Sequence, residues 1–130
     1  AIDWSHMGPN FENSLRQRPR HKPELSAQQL RQNMLCLTAP VLAIATTDDP
    51  FATTDATERL LAYYGNADRH YLKLKPSTVE ESAIGHFAFF HDRYRAKLWP
   101  IALHWLQEGK VLPEVLPDLY KTYQVARFDT

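Results

Sequence analysis

The sequence predicts an α/β protein, a short parallel sheet of strand, helix and strand flanked by further helices, on three observations. Val41-Leu42-Ala43-Ile44-Ala45 is an unbroken apolar run with Pro40 and Pro50 on its flanks, the pattern of a strand buried on both faces. From Asp55, residues Ala56, Leu60, Leu61 and Tyr64 keep helical spacing up to Gly65, a natural C-terminal stop, and Asp55 and Glu58 have the spacing of a cap. His70 to Lys75 then alternates, with Leu72 and Leu74 on one side and Tyr71, Lys73 and Lys75 on the other, until Pro76 ends it. Such alternation predicts a half-exposed strand near a sheet edge, where lysines discourage edge-to-edge association. The three elements make one right-handed crossover.

Composition removes several function classes. The 130 residues are 44% hydrophobic and 23% charged, ordinary for a soluble domain. Fifteen basic and fifteen acidic residues give a net charge of zero, which argues against a field able to hold nucleic acid or an anionic membrane. No apolar run approaches the ~20 residues that span a bilayer, and no signal-peptide pattern opens the chain, so the expected compartment is the cytoplasm. The single cysteine, Cys36, can form no internal disulfide, which fits a reducing compartment.

Outside the crossover, residues 1–25 are rich in Pro, Arg and His and form an extended N-terminal segment holding Trp4, Met7, Phe11 and Leu15. The basic run from Arg16 to Lys22 contains no aromatic platform and reads as a solvated segment rather than a nucleic-acid site. Ser26 and Gln29 have the spacing of a capping box, with Leu25 and Leu30 placed as a hydrophobic staple, so a helix is expected from Ser26 to about Leu37. Its Leu30, Met34 and Leu37 line one face, and Cys36, with no elbow or base around it, reads as a buried structural thiol. Asp92 to Gln107 reads as helix from Tyr94, Leu98, Ile101 and Trp105; Pro100 either kinks it or starts a second helix, and Gly109 stops it. Residues 110–130 carry Leu112, Val115, Leu116, Leu119, Tyr120 and Tyr123, the pattern of a short amphipathic tail helix.

Chemistry concentrates where the strands end. Asp48 and Asp49 close the first strand, at the edge of an α/β sheet where ligands bind, although Asp-Asp-Pro is also ordinary turn chemistry. His86 stands in Ile84-Gly85-His86-Phe87-Ala88-Phe89-Phe90, after the second strand, 37 positions beyond Asp49. If the strands are parallel, both loops emerge on one edge and the pair can meet. The order Asp then His is that of the last two triad members on an α/β-hydrolase sheet. A metal site drawn from His86, His91, Asp48 and Asp49 matches no established ligand spacing, and neither a metal nor a cofactor is expected.

These residues, with Leu98-Trp99-Pro100 and Trp105-Leu106, resemble the C-terminal part of an α/β-hydrolase over roughly residues 26–108. The likeness is to predicted bacterial hydrolases with an aspartate pair after the seventh strand and Gly-His-x-x-Phe-Phe after the eighth. It implies a C-terminal α/β-hydrolase-like domain over 26–109, with 1–25 as the end of a cap region and 110–130 as a tail. It further implies Asp49 as the triad acid, His86 as the base, and a small ester or related acyl compound as substrate. The departure is large. Gly8, Gly65, Gly85 and Gly109 bracket no serine, so the Gly-x-Ser-x-Gly elbow is lacking, and Ser5, Ser14, Ser26, Ser77 and Ser82 have no strand-turn-helix context.

A two-stranded sheet is not self-sufficient. Burying Val41, Leu42 and Ile44 is worth roughly 5 to 9 kcal/mol, comparable with a whole domain's stability, so both faces need cover and the first strand needs a neighbour. The sequence thus predicts either a piece of a larger hydrolase, inactive alone, or a non-catalytic half-hydrolase module that completes its sheet with another chain. The expected partner is the missing N-terminal half or a second copy.

Overall fold

The computed structural model describes residues 27–126. Helix α1 spans Ala27–Leu35, strand β1 Val41–Thr46, helix α2 Thr54–Ala62 and strand β2 Arg69–Leu74. After 3-10 turns at Pro76–Val79 and Asp92–Tyr94 come helix α3 (Trp99–Glu108), a 3-10 segment (Pro113–Asp118) and strand β3 (Leu119–Tyr123). The fold is α/β with a mixed sheet in the order β1-β2-β3, β1 parallel and β3 antiparallel to β2. Everything read from residues 1–26, the capping box at Ser26 included, lies outside the described residues.

The parallel register runs from Val41 against Arg69 to Thr46 against Leu74, so both strands end level, on one edge. Within it, Val41 and Thr47 donate to the Asp68 and Leu74 carbonyls. The odd-numbered residues of β1 therefore bond β2, and the main-chain groups of Leu42 and Ile44 face the uncovered edge. One face of the sheet packs Leu72 and Leu74 against Ile84, Tyr94, Leu98, Ile101 and Val115. The other packs Ala45 and Tyr71 against Leu61 of α2, with Val41, Ala43 and Tyr123 around them.

Several expectations are corrected. β2 is the central strand and not an edge: Tyr71, Leu72 and Leu74 are all fully buried, because α2 covers the side on which Tyr71 and Lys73 lie. β1, expected to be buried on both faces, is half-buried over its first four residues, since nothing described covers its outer edge. The tail forms no α-helix; Pro113 and Pro117 leave a 3-10 segment, and Leu119–Tyr123 pairs with β2. The buried Asp118 carboxylate fixes that join, accepting from the Lys75 amide at 2.9 Å.

The helix over Asp92 to Gln107 is confined to Trp99–Glu108, with Pro100 in its first turn and Gly109, at φ 66°, as its left-handed stop. α2 is capped by Thr53, whose hydroxyl accepts from the Ala56 amide, and not by Asp55, which sits in the first turn. It ends at Ala62, and Gly65 takes no left-handed conformation. α1 stops two residues short of Leu37 and buries no residue, so Leu37 and Cys36 are exposed and the thiol is not a core group.

Candidate active site

The edge where β1 and β2 end carries the chemistry. Asp49 follows a turn in which its amide donates to the Thr46 carbonyl at 3.2 Å. Its Oδ1 accepts from the amides of Phe51 (2.8 Å) and Ala52 (3.1 Å), which aims Oδ2 across the edge. There Oδ2 meets His86 Nδ1 at 2.8 Å. The Asp49 side chain is 7% exposed and the His86 side chain 35%, so a shielded carboxylate holds an imidazole open to solvent on its far side.

Burial pushes the Asp49 carboxyl up, but the His86 hydrogen bond and the Phe51 and Ala52 amides outweigh it and hold it below its ordinary value. The group is therefore ionised at neutral pH and can only accept. His86 must place its proton on Nδ1, which leaves the Nε2 lone pair of the neutral ring free to take another. This is the orientation a general base requires.

Asp48 does different work. Its Oδ2 accepts from the Ile84 amide at 2.8 Å, and both oxygens accept from the Gly85 amide at 3.1 Å. Burial raises this carboxyl too, but those amides and the Thr46 hydroxyl outweigh it and hold it below its ordinary value. Gly85 turns at φ 73°, a conformation that favours glycine, and delivers His86 to Asp49. Tyr94 steadies the same segment by donating from its hydroxyl to the Ala83 carbonyl at 2.9 Å.

Sequence reasoning singled out Asp49 and His86 and missed the aromatic frame. Phe51 and Phe87 stand edge-on to the imidazole, with centroids 5.1 and 4.6 Å away. Phe51, Phe87 and Phe90 are 71%, 88% and 73% exposed. Beside His86, Phe87 and Phe90 border a cleft of about 290 Å³, floored by Ile44, Ala45 and Ala52. The signal available was the density of phenylalanine on both loops. His91 is elsewhere engaged, accepting from the Arg93 amide, and among the described residues no three His, Cys, Asp or Glu side chains gather as metal ligands do. Of the described serines, neither Ser77 nor Ser82 is a hydrogen-bond partner of His86. No described helix is long and apolar enough to cross a membrane. Comparison of the chain with family models, with curated proteins and with solved structures returned no match.

Proposed function

We propose that this chain supplies the acid and base of a serine-type α/β-hydrolase, with the nucleophile coming from outside residues 1–130. The observation that carries this reading is the 2.8 Å Asp49–His86 hydrogen bond at the level ends of two adjacent parallel strands. In this reading β1 and β2 correspond to the seventh and eighth strands of the hydrolase sheet, and the uncovered edge of β1 receives the sixth. β3 departs from the pattern and closes the far side of β2.

The chemistry follows from the tautomer. His86 Nε2 takes the proton of an incoming serine hydroxyl as it attacks an ester or related acyl carbon, and returns it to the leaving group. Asp49 keeps Nδ1 protonated and stabilises the imidazolium that forms. The phenylalanine-lined cleft gives the acyl part of the substrate an apolar seat, at the lower end of the volumes that hold small ligands.

A second reading has its own support in the uncovered β1 edge. There the chain is a non-catalytic module, and a partner strand, from another protein or a second copy, completes the sheet. One experiment separates the two. A fluorophosphonate probe should label no serine of this chain alone. When the chain is joined to or assembled with its elbow-bearing part, esterase turnover should appear, and Asp49→Asn should lower kcat by on the order of 10⁴ with the fold intact. Assembly without turnover, or turnover indifferent to Asp49→Asn and His86→Ala, leaves only the module.

A further inference from the structure

The outer edge of β1 presents a short and well-bounded set of main-chain groups. Parallel pairing with β2 uses the odd-numbered residues, so among the described residues the amides and carbonyls of Leu42 and Ile44 have no main-chain partner. The edge is closed off on either side of them. Pro40 has no amide to give, and Thr46 is buried with its carbonyl already accepting from the Asp49 amide. What remains is Leu42 and Ile44, each with a donor and an acceptor facing outward, placed evenly about Ala43.

Nothing in β1 discourages pairing. Val41–Thr46 carries no charge, no proline and no bulge, the usual means of keeping an exposed edge from a neighbouring strand. Its first four residues are half-buried, and Val41, Leu42 and Ile44 among them are apolar side chains that a further strand would cover. The apolar surface also continues past the edge, because Ile44 shares its cleft with the exposed Phe87 and Phe90. A chain whose fifteen basic and fifteen acidic residues balance meets no net repulsion from its own kind.

We propose that the occupant of this edge is a second copy of the chain, its β1 antiparallel to the first about a two-fold axis at Ala43. This deepens the non-catalytic module reading, on which it rests, by naming the partner. In that register Leu42 faces Ile44 of the second copy and Ile44 faces its Leu42, so each outward donor meets an outward acceptor. Moving the axis to Leu42 sets Ile44 against Pro40 of the other copy, where the Ile44 carbonyl finds no amide. Moving it to Ile44 sets Leu42 against the buried Thr46, whose carbonyl is taken. With the axis at Ala43 the side chains match as well. Val41 meets Ala45 on the α2 face and Leu42 meets Ile44 on the other, so both cores continue across the join. An edge that matches itself under a two-fold is what an isologous contact requires, and a strand from another protein requires no such symmetry.

Sedimentation equilibrium of the full chain, from micromolar to millimolar concentration, should show a reversible doubling of its mass. Hydrogen exchange followed by NMR over the same range locates the contact. The outward amides of Leu42 and Ile44 should slow by about tenfold or more as the dimer forms, while that of Ala43, bonded to β2 throughout, should not respond. Register is read by cysteine pairing on a Cys36→Ser background, which removes the native thiol. There Ala43→Cys should form an intermolecular disulfide on oxidation, since facing Cα atoms in a non-hydrogen-bonded pair stand about 4.5 Å apart. Val41→Cys should form none, its two copies lying roughly 13 Å apart along the strands. A monomer at millimolar concentration overturns the proposal and leaves the edge to another protein's strand. A dimer whose Leu42 and Ile44 amides exchange as fast as in the monomer, or that links Val41→Cys as readily as Ala43→Cys, overturns it too. The module reading fails by a separate result, turnover on assembly with an elbow-bearing part, which would remove the proposal with it. Should Ala43→Cys fail to fold, exchange in the parent chain decides.

Discussion

The loop after β1 and the segment after β2 meet at the candidate site, yet they are ordered by opposite means. The first is fixed from within. Its amides at Asp49, Phe51, Ala52 and Ala56 find their acceptors, on Thr46, Asp49 and Thr53, within three residues. The second is fixed from outside. Its Ile84 and Gly85 amides reach Asp48, 36 and 37 positions away, and its Ala83 carbonyl is held by Tyr94. Asp49 is therefore placed by its own loop, whereas His86 is placed by the neighbour of Asp49. Asp48 and Asp49 divide the work of positioning His86, since the first holds the backbone that carries the imidazole and the second holds the imidazole itself.

That division is broken most severely by Asp48→Ala. The substitution strips the Ile84 and Gly85 amides of their acceptor, and Ile84 is a core residue. Leaving such donors unsatisfied costs about 1 to 3 kcal/mol, so calorimetry should show a melting temperature lower by several degrees. The His86 ring resonances should broaden or shift as its segment loosens. The comparison fails if Asp48→Ala melts with the parent, or if Asp49→Ala loosens the Ile84 and Gly85 amides equally. In the hydrolase proposed above, the milder Asp48→Asn should keep most of the turnover that Asp49→Asn loses; the reverse pattern would move the proposed acid to Asp48.

A smaller effect sharpens the same contrast. Gly85 and Gly109 both take left-handed conformations, at φ 73° and 66°, and a Cβ added at either would meet nothing within 4 Å. Gly85→Ala and Gly109→Ala should therefore cost the same conformational energy, about 1 to 2 kcal/mol each. Only Gly85 lies in the segment held from outside. Hydrogen exchange at Ile84 and the His86 ring shifts should change for Gly85→Ala and stay at parent values for Gly109→Ala. Equal responses would mean that the segment is ordered by general stability and not by its contact with Asp48.

Legibility in the sequence follows the same line between short and long range. The strand leading into Asp48-Asp49, the helix after it and the pairing of Asp49 with His86 could be read because local pattern and parallel topology determine them. The alternation of β2 was misread for a physical reason. Leucine and tyrosine separate two covered faces there, not an inside from an outside, and only the packing of α2 on Tyr71 distinguishes the cases. In the tail, Leu112, Val115, Leu116 and Leu119 mimic helical spacing, and the signal that denied it was the pair Pro113 and Pro117. Asp118 carried no local mark at all. Its role exists only once Lys75 has arrived from 43 positions away.

The smallest effect concerns acid. Asp48 and Asp49 both have carboxyl groups held below their ordinary values, by amides in one case and by His86 with amides in the other. A carboxyl whose folded pKa lies below its unfolded one contributes stability above the unfolded value, and that contribution is lost as pH falls through the folded value. The unfolded value is about 4, so the contribution is complete at neutral pH and disappears below about pH 4. Protonating Asp48 weakens its hold on the Ile84 and Gly85 amides, whereas protonating Asp49 weakens its hold on His86 and on its own loop. Urea unfolding followed from pH 6 down to pH 3 should show stability falling in the parent, less steeply in Asp48→Asn or Asp49→Asn. The double variant should be the flattest of the four. NMR at each pH adds the spatial prediction: the Ile84 and Gly85 amide shifts titrate in Asp49→Asn and not in Asp48→Asn, while the Phe51 and Ala52 amides do the opposite. A shared titration across both sets in either single variant would show that the two carboxylates act as one unit and that the division between them is wrong.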